Sequence, residues 1–118
     1  MIDHVAIPVR DLAASRRFYE PLFDGLGAKV VMEWSGGVLF GTDDGMVALR
    51  ESDRVESLHV AFKADRPGVD SFYETALAAG GSDNGPPGVR AEYHENYYSA
   101  FVIDPNGHNV EAVCHRPV

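Results

Sequence analysis

The chain has 118 residues, which is enough for one domain that buries roughly two-thirds of its unfolded surface and too few for two ordinary domains. Hydrophobic residues make up 45% and charged residues 24%, a composition that excludes a disordered or fibrous protein. The net charge is -8 and the basic residues are scattered, so we expect no nucleic-acid partner.

The sequence also lacks the segments that direct a chain to a membrane. No apolar run reaches the ~20 residues that span a bilayer, and Met1 is not followed by a basic stretch and an apolar targeting segment. The single cysteine, Cys114, excludes an intrachain disulfide. We therefore expect a cytoplasmic protein without a membrane partner.

The first half of the chain predicts a strand, a helix and three more strands. Residues 2–9 alternate as in a strand, and Asp11 is typical of the N-cap of a helix that Pro21 should bend or shorten. Strands are predicted over 28–34, 37–42 and 45–51, because short turns with glycine separate these β-rich segments.

The second half predicts the same order of elements. A strand around His59 precedes a helix that begins after Asp65 and ends before Gly80 and Gly81. Further strands are predicted over about 89–93, 97–103 and 108–115. The segment 84–88, with its glycines and prolines, is expected to be a mobile loop.

The two halves also share residues. The tripeptide His4-Val5-Ala6 recurs 55 positions later at 59–61, and Phe18-Tyr19-Glu20 recurs at 72–74 with an offset of 54. The turns before the last strand of each half match as well, with Asp43 corresponding to Asp104. We therefore expect a single domain, 1–118, built from two modules, 1–53 and 54–118.

Strand alternation predicts where polar groups collect. If the helices cover the side of Val5, Ile7 and Val9, then His4 lies on the opposite side of its strand. His59 does the same in the second half, and Glu111 lies opposite the side of Val110 and Ala112. One concave surface then collects two imidazoles and one carboxylate.

These motifs resemble the vicinal oxygen chelate superfamily, which contains glyoxalase I, extradiol dioxygenases, fosfomycin-resistance thiol transferases and bleomycin-binding proteins. The resemblance is carried in order by residues 4–11, 18–20, 59–62 and 104–111. It implies an α+β fold in which two tandem βαβββ modules form an open, cupped mixed sheet with helices on the outer face. It also implies a metal-dependent enzyme that binds a small-molecule substrate through vicinal oxygens on a divalent metal.

The resemblance implies that His4, His59 and Glu111 are the metal ligands. The fourth position of the family falls on Ala48, which cannot ligate, so the set departs from glyoxalase I. Two histidines and one glutamate match extradiol dioxygenases and fosfomycin-resistance enzymes. This donor set favours Fe²⁺ or Mn²⁺, with Zn²⁺, Co²⁺ or Ni²⁺ as alternatives.

The reaction stays open at the level of sequence. Similar extradiol enzymes carry a tyrosine where this chain has Phe101, and fosfomycin-resistance enzymes carry a threonine where it has Ala6. A metal-free binding or sequestration protein of the bleomycin-resistance type is the alternative function, with the histidines merely bonded to the carboxylate. The sequence leaves open whether the chain forms a homodimer and whether the site lies within one chain or is shared across a dimer.

Residues around the predicted ligands supply candidate catalytic and binding groups. We expect His94, Tyr98 and Arg50 to be catalytic, although Arg50 has the alternative of pairing with Glu33 or Glu95. His108 and His115 are expected to be ordinary polar groups. The candidate substrate-binding residues are Arg90, Tyr93, Tyr97, Phe101, Ala48 and Trp34.

Overall fold

The computed structural model describes all residues, 1–118, as two consecutive βαβββ units. The helices are α1 (Leu12–Gly25) and α2 (Arg66–Ala78). The strands are β1 (His4–Val9), β2 (Lys29–Trp34), β3 (Gly37–Thr42), β4 (Gly45–Glu51), β5 (His59–Lys63), β6 (Ser82–Val89), β7 (Tyr98–Ile103) and β8 (Asn109–Cys114). The predicted α+β class with tandem βαβββ modules is confirmed.

The strands form two separate four-stranded sheets with the same topology. The first sheet has the order β1-β4-β3-β2 and the second has the order β5-β8-β7-β6. β1 pairs with β4 and β5 pairs with β8 in parallel, and all other neighbours are antiparallel. The registers match as well, since Ala6 lies opposite Ala48 in the first sheet and Ala61 lies opposite Glu111 in the second. Ala48 and Glu111 therefore occupy equivalent positions.

Side-chain caps begin both helices where the sequence predicts. Asp11 accepts a hydrogen bond from the backbone N–H of Ala14 at 3.0 Å, and Asp65 accepts one from Gly68 at 2.8 Å. Pro21 lies inside α1, which continues to Gly25, so the helix is not shortened there. The residues after it, Leu22 and Phe23, are each only 2% exposed, so their packing offsets the lost backbone hydrogen bond.

One hydrophobic core extends through both modules. Each sheet has a helix face and an open face; α1 packs on β4 of the first sheet, and α2 packs on β6, β7 and β8 of the second. Phe23 of α1 contacts Phe40 of the first sheet and Phe62 of the second, with ring centroids 5.0 and 5.3 Å apart. Because α1 also packs on α2, the helices join the modules into one unit. Neither helix has the length and apolarity needed to cross a bilayer.

A buried polar network around Asp104 also joins the modules. The carboxylate accepts hydrogen bonds from the Tyr19 hydroxyl at 2.6 Å and from the backbone N–H groups of Asn106 and His108 at 2.8 Å each. His108 is fully buried, donates from Nε2 to the carbonyl of Pro8 and accepts at Nδ1 from a backbone N–H. The expectation that His108 is a satisfied polar group is confirmed.

The prediction for the segment 84–93 was wrong. Residues 82–89 form β6 instead of a mobile loop, and residues 90–97 are turns instead of a strand over 89–93. Prolines fit here because β6 is an edge strand, where a missing N–H costs little. The register shifts at Gly85, whose φ of 145° is a conformation that L side chains rarely adopt.

Candidate functional site

A carboxylate and an imidazole meet on the open face of the second sheet. Parallel pairing of β5 with β8 brings His59 next to Glu111, and their Nε2 and Oε1 atoms are 2.8 Å apart. The Glu111 side chain is only 1% exposed, whereas the His59 side chain is 53% exposed. A carboxylate this deeply buried is costly unless its oxygens are bonded, so its partners define the site.

Tyr97 binds the other oxygen of that carboxylate. Its hydroxyl donates a hydrogen bond to Oε2 of Glu111 from the turn that precedes β7. Burial, followed by this hydrogen bond, raises the pKa of Tyr97 to about 12. The phenol therefore remains protonated at neutral pH and acts as a donor.

Three rings surround Tyr97. The rings of Tyr93, His94 and His115 lie edge-on to it, with centroids 4.8, 5.5 and 5.2 Å away. The backbone N–H of Asn96 donates to Nδ1 of His94, so the hydrogen of this imidazole is on Nε2, which donates to His115 Nδ1 at 2.8 Å. These two imidazoles thus tie the 90–97 turns to the end of β8.

Phe101 and Arg90 extend the same surface. Phe101 lies directly opposite Glu111 in the register, and its ring is 6.1 Å from the ring of His59. Arg90 donates to the carbonyl of Pro86 at 2.6 Å and lies 5.5 Å from the centre of the Phe101 ring. The second sheet therefore brings together His59, Glu111, Tyr97 and Phe101, with Arg90, Tyr93 and His94 around them.

The other candidates lie on the first sheet. His4 is exposed and its Nδ1 is 2.7 Å from the carboxylate of Asp3. No group of three or more His, Cys, Asp or Glu side chains in the chain is placed to hold a metal ion. His4 therefore does not join His59 and Glu111 within one chain.

The remaining first-sheet candidates are Ala48 and Arg50 of β4 and Trp34 of β2. Ala48 is 6% exposed, while Arg50 is exposed. Glu33, one of the two carboxylates considered as a partner of Arg50, is instead bound by Arg16 at 3.0 Å. The Trp34 ring covers Gly37 so closely that an added Cβ would lie 2.3 Å from it.

The expectation that Tyr98 faces the predicted ligands was wrong, because its side chain lies on the helix face. Its hydroxyl donates to Asp70 of α2 at 2.5 Å, and Arg66 lies 4.8 Å from its ring centre. Successive strand residues point to opposite faces, so Tyr98 must leave the side that Tyr97 and Ser99 occupy. Alternation already contained this information.

An open cleft of about 800 Å³ lies between the two modules. Apolar side chains such as Phe23, Phe40 and Phe62 line it, and His59 is among its lining residues. Lys63 and Asp44, 2.9 Å apart, also line it. The size suits a small molecule, but Trp34 and Phe101, the expected pocket walls, do not line this cleft.

Sequence reasoning missed His115 and the bond between Tyr97 and Glu111. Residues 97, 99 and 101 alternate toward the same face as 111, 113 and 115 once β7 and β8 are paired antiparallel. Antiparallel pairing of the two predicted strands would therefore have placed both Tyr97 and His115 on the face of Glu111.

Comparison with known proteins agrees with this architecture. Residues 1–112 match the family model described as Glyoxalase/Bleomycin resistance protein/Dioxygenase superfamily. No curated protein matches the sequence.

Solved structures share the fold over nearly the whole chain. A glyoxalase/bleomycin resistance protein from Albidiferax ferrireducens T118 is 25% identical with a TM-score of 0.86, covering 96% of this chain and 98% of that one. The fosfomycin resistance protein FosX from Mesorhizobium loti is 27% identical with a TM-score of 0.73, covering 96% and 90%. The chain therefore belongs to the Glyoxalase/Bleomycin resistance protein/Dioxygenase superfamily.

Proposed function

We propose that this chain is a metal-dependent enzyme that acts on a small molecule. His59 and Glu111 of one chain and His4 of a second copy hold the divalent ion. The observation that carries the proposal is the buried Glu111 carboxylate, which meets an imidazole on an open sheet face. The similarity to FosX, a fosfomycin resistance protein, supports an activity toward small molecules.

The donor atoms fit a divalent ion. Two ligands at adjacent corners of an ion with bonds of ~2.1 Å lie roughly 3 Å apart. Nε2 of His59 and Oε1 of Glu111 are separated by 2.8 Å, so modest movement admits an ion between them. Imidazole with carboxylate favours Fe²⁺ or Mn²⁺ where coordination positions remain open, with Zn²⁺, Co²⁺ and Ni²⁺ as alternatives.

A second copy of the chain supplies the missing imidazole. His4 is exposed on β1, and at the other edge of the same sheet the β2 residues Val31, Met32 and Trp34 are 56%, 56% and 43% exposed. Exposed apolar surface of this kind is typical of an interface. In a two-fold dimer each contact occurs twice, so both sites receive one His4 from the partner.

The bound ion supplies Lewis-acid stabilisation of negative charge that develops on a substrate oxygen. The chain contributes the surroundings of that charge. Arg50 lies opposite Pro8 on the first sheet, is exposed and offers a cation for an anionic substrate group. Phe101 provides an apolar wall opposite Glu111, and protonated Tyr97 keeps the carboxylate oriented.

Elemental analysis of the purified protein tests the proposal. The parent should contain one divalent ion per chain, and His4→Ala, His59→Ala and Glu111→Ala should each lose it. The control Tyr73→Phe changes an exposed group of α2 outside the set and should keep the same stoichiometry. Unchanged metal content in the His59→Ala, Glu111→Ala double variant would exclude the proposed ligands.

A metal-free binding protein is the second candidate function. Two observations favour it: Glu111 already has a hydrogen-bond partner on each oxygen, and an apolar cleft of about 800 Å³ lies nearby. In that case the parent contains no metal, and its thermal stability is unchanged by Mn²⁺, Fe²⁺, Zn²⁺, Co²⁺ or Ni²⁺. An apolar dye should bind equally in the presence and absence of a chelator.

A further inference from the structure

We propose that Tyr97 is a positioning residue, which fixes the Glu111 carboxylate in the orientation that a bound ion requires. The inference deepens the proposed function and rests on it. The two carboxylate oxygens of Glu111 have different partners: His59 lies at Oε1, whereas the Tyr97 hydroxyl donates to Oε2. Only one oxygen is therefore left to face an ion beside His59.

A carboxylate with one free oxygen differs chemically from one with two. Rotation of an unrestrained carboxylate exchanges its oxygens and allows one or both to ligate, which gives a mixture of coordination modes. A donor on Oε2 holds the group in a single orientation and favours ligation through Oε1. Outer partners of this kind orient the ligands of metal sites in general.

The surroundings of Tyr97 make it suitable for this role. Its ring is braced by Tyr93, His94 and His115, and His94 is itself bonded to His115. The backbone is fixed as well, because the Tyr97 carbonyl accepts from Arg90 at 2.7 Å and its N–H donates to the His94 carbonyl at 3.2 Å. A side chain held at both its ring and its backbone can hold a ligand in turn.

The neighbouring residue provides a matched control. Tyr98 also donates a phenol hydrogen bond to a carboxylate, that of Asp70, but on the helix face. Tyr97→Phe and Tyr98→Phe therefore remove the same chemical group and the same type of bond at adjacent positions. Only the first change touches the proposed metal ligand.

The test titrates chelator-treated protein with Co²⁺ and records affinity and visible absorption. Tyr97→Phe should bind Co²⁺ about 10- to 100-fold more weakly than the parent. Its Co²⁺ absorption bands should shift because the coordination of Glu111 changes. Tyr98→Phe should match the parent in both measurements. Equal affinity and identical bands for Tyr97→Phe and the parent would overturn the inference, as would an equal loss in Tyr98→Phe.

A second variant covers the case in which Tyr97→Phe does not fold. His94→Ala removes one brace of Tyr97 and its bond to His115 but leaves both Tyr97 and Glu111 in place. It should shift the Co²⁺ bands and weaken binding less than tenfold, below the usual effect of a direct partner. Parental bands in this variant count against the inference.

The two proposals fail in different ways. If the parent itself binds no Co²⁺, the proposed function fails and the role of Tyr97 fails with it. If the parent binds Co²⁺ and loses it on Glu111→Ala, but Tyr97→Phe binds as the parent does, only the positioning role is wrong.

Discussion

The two modules repeat one backbone but differ on their open faces. In the second sheet the position opposite Ala61 is Glu111, which has a partner on each oxygen and is 1% exposed. In the first sheet the equivalent position, opposite Ala6, is Ala48, and the nearby His4 is exposed. The difference teaches that two modules can keep one register while they carry different side chains on their open faces.

The same contrast holds for the turns before β4 and β8, and it gives the largest expected effect. Asp104 accepts from Tyr19, Asn106 and His108 inside the protein, whereas its counterpart Asp43 is exposed. Asp104→Ala leaves several buried donors unpaired and should lower the free energy of unfolding by at least ~3 kcal/mol. Urea denaturation measures this.

The matched change Asp43→Ala should shift the free energy of unfolding by less than ~0.5 kcal/mol. Equal effects of the two changes would show that the network around Asp104 does not hold the modules together.

The repeated tyrosines of α1 and α2 sharpen the comparison further. Tyr19 is fully buried and bonded to Asp104 of the other module, while its counterpart Tyr73 bonds to Asp83 of its own module. Tyr19→Phe should cost about 1.5–3 kcal/mol because it leaves a carboxylate with one donor fewer. Tyr73→Phe should change stability little, because its bond is exposed.

These tyrosine variants also predict a pH dependence. Burial, followed by the nearby charge of Asp104, raises the pKa of Tyr19 above its ordinary value. The protonated phenol thus stabilises the fold below pH ~10, the unfolded value, and this contribution is lost as pH rises above it. Between pH 9 and 11, roughly the range of free tyrosine titration, Tyr19→Phe should lose less stability than the parent. Parallel curves would contradict the assigned cause.

Ala48→Glu makes the first sheet resemble the second. Without metal, a carboxylate at a position that is 6% exposed should cost about 1–3 kcal/mol. Thermal melts should show part of this loss recovered by added divalent ions, since the new carboxylate lies on the same face as His4. Destabilisation that no divalent ion relieves would indicate that the first sheet has no part in a metal site.

The smallest effect is expected at the ion pair of Lys63 and Asp44. The atoms are 2.9 Å apart and join the two modules, but their side chains are 77% and 72% exposed. Solvent screens such a pair, so Lys63→Ala should cost under ~1 kcal/mol. If Lys63→Ala lowered the free energy of unfolding as much as Asp104→Ala, the modules would be joined mainly through the Lys63–Asp44 pair.

Much of the fold follows from local sequence signals. The repeat, the helix caps and the strands β2 to β4 could be predicted because alternation, Asp caps and glycine turns act over a few residues. β6 could not, because its prolines are tolerated only through its edge position, which depends on the order of strands. Pro21 does not shorten α1 because the packing of the residues after it overrides local propensity.

The candidate site was less predictable than the fold. Alternation placed His59 and Glu111 on one face, where they meet. The separation of His4 from them depends on how the modules pack through Phe23 and the helices, which no local pattern reveals. The position of Tyr98 was available from strand alternation, because the predicted strand over 97–103 contains both Tyr97 and Tyr98, and adjacent strand residues point to opposite faces.

Metal analysis of mixed subunits tests most directly the claim that two copies share one site. His4→Ala and Glu111→Ala chains, co-expressed with different tags in equal amounts, pair at random, and each mixed dimer contains one intact set of ligands. Each variant alone should contain no divalent ion, whereas the mixture should regain about one quarter of the parental metal per chain. A mixture as empty as the separate variants, made from a parent that does bind metal, would contradict the shared site.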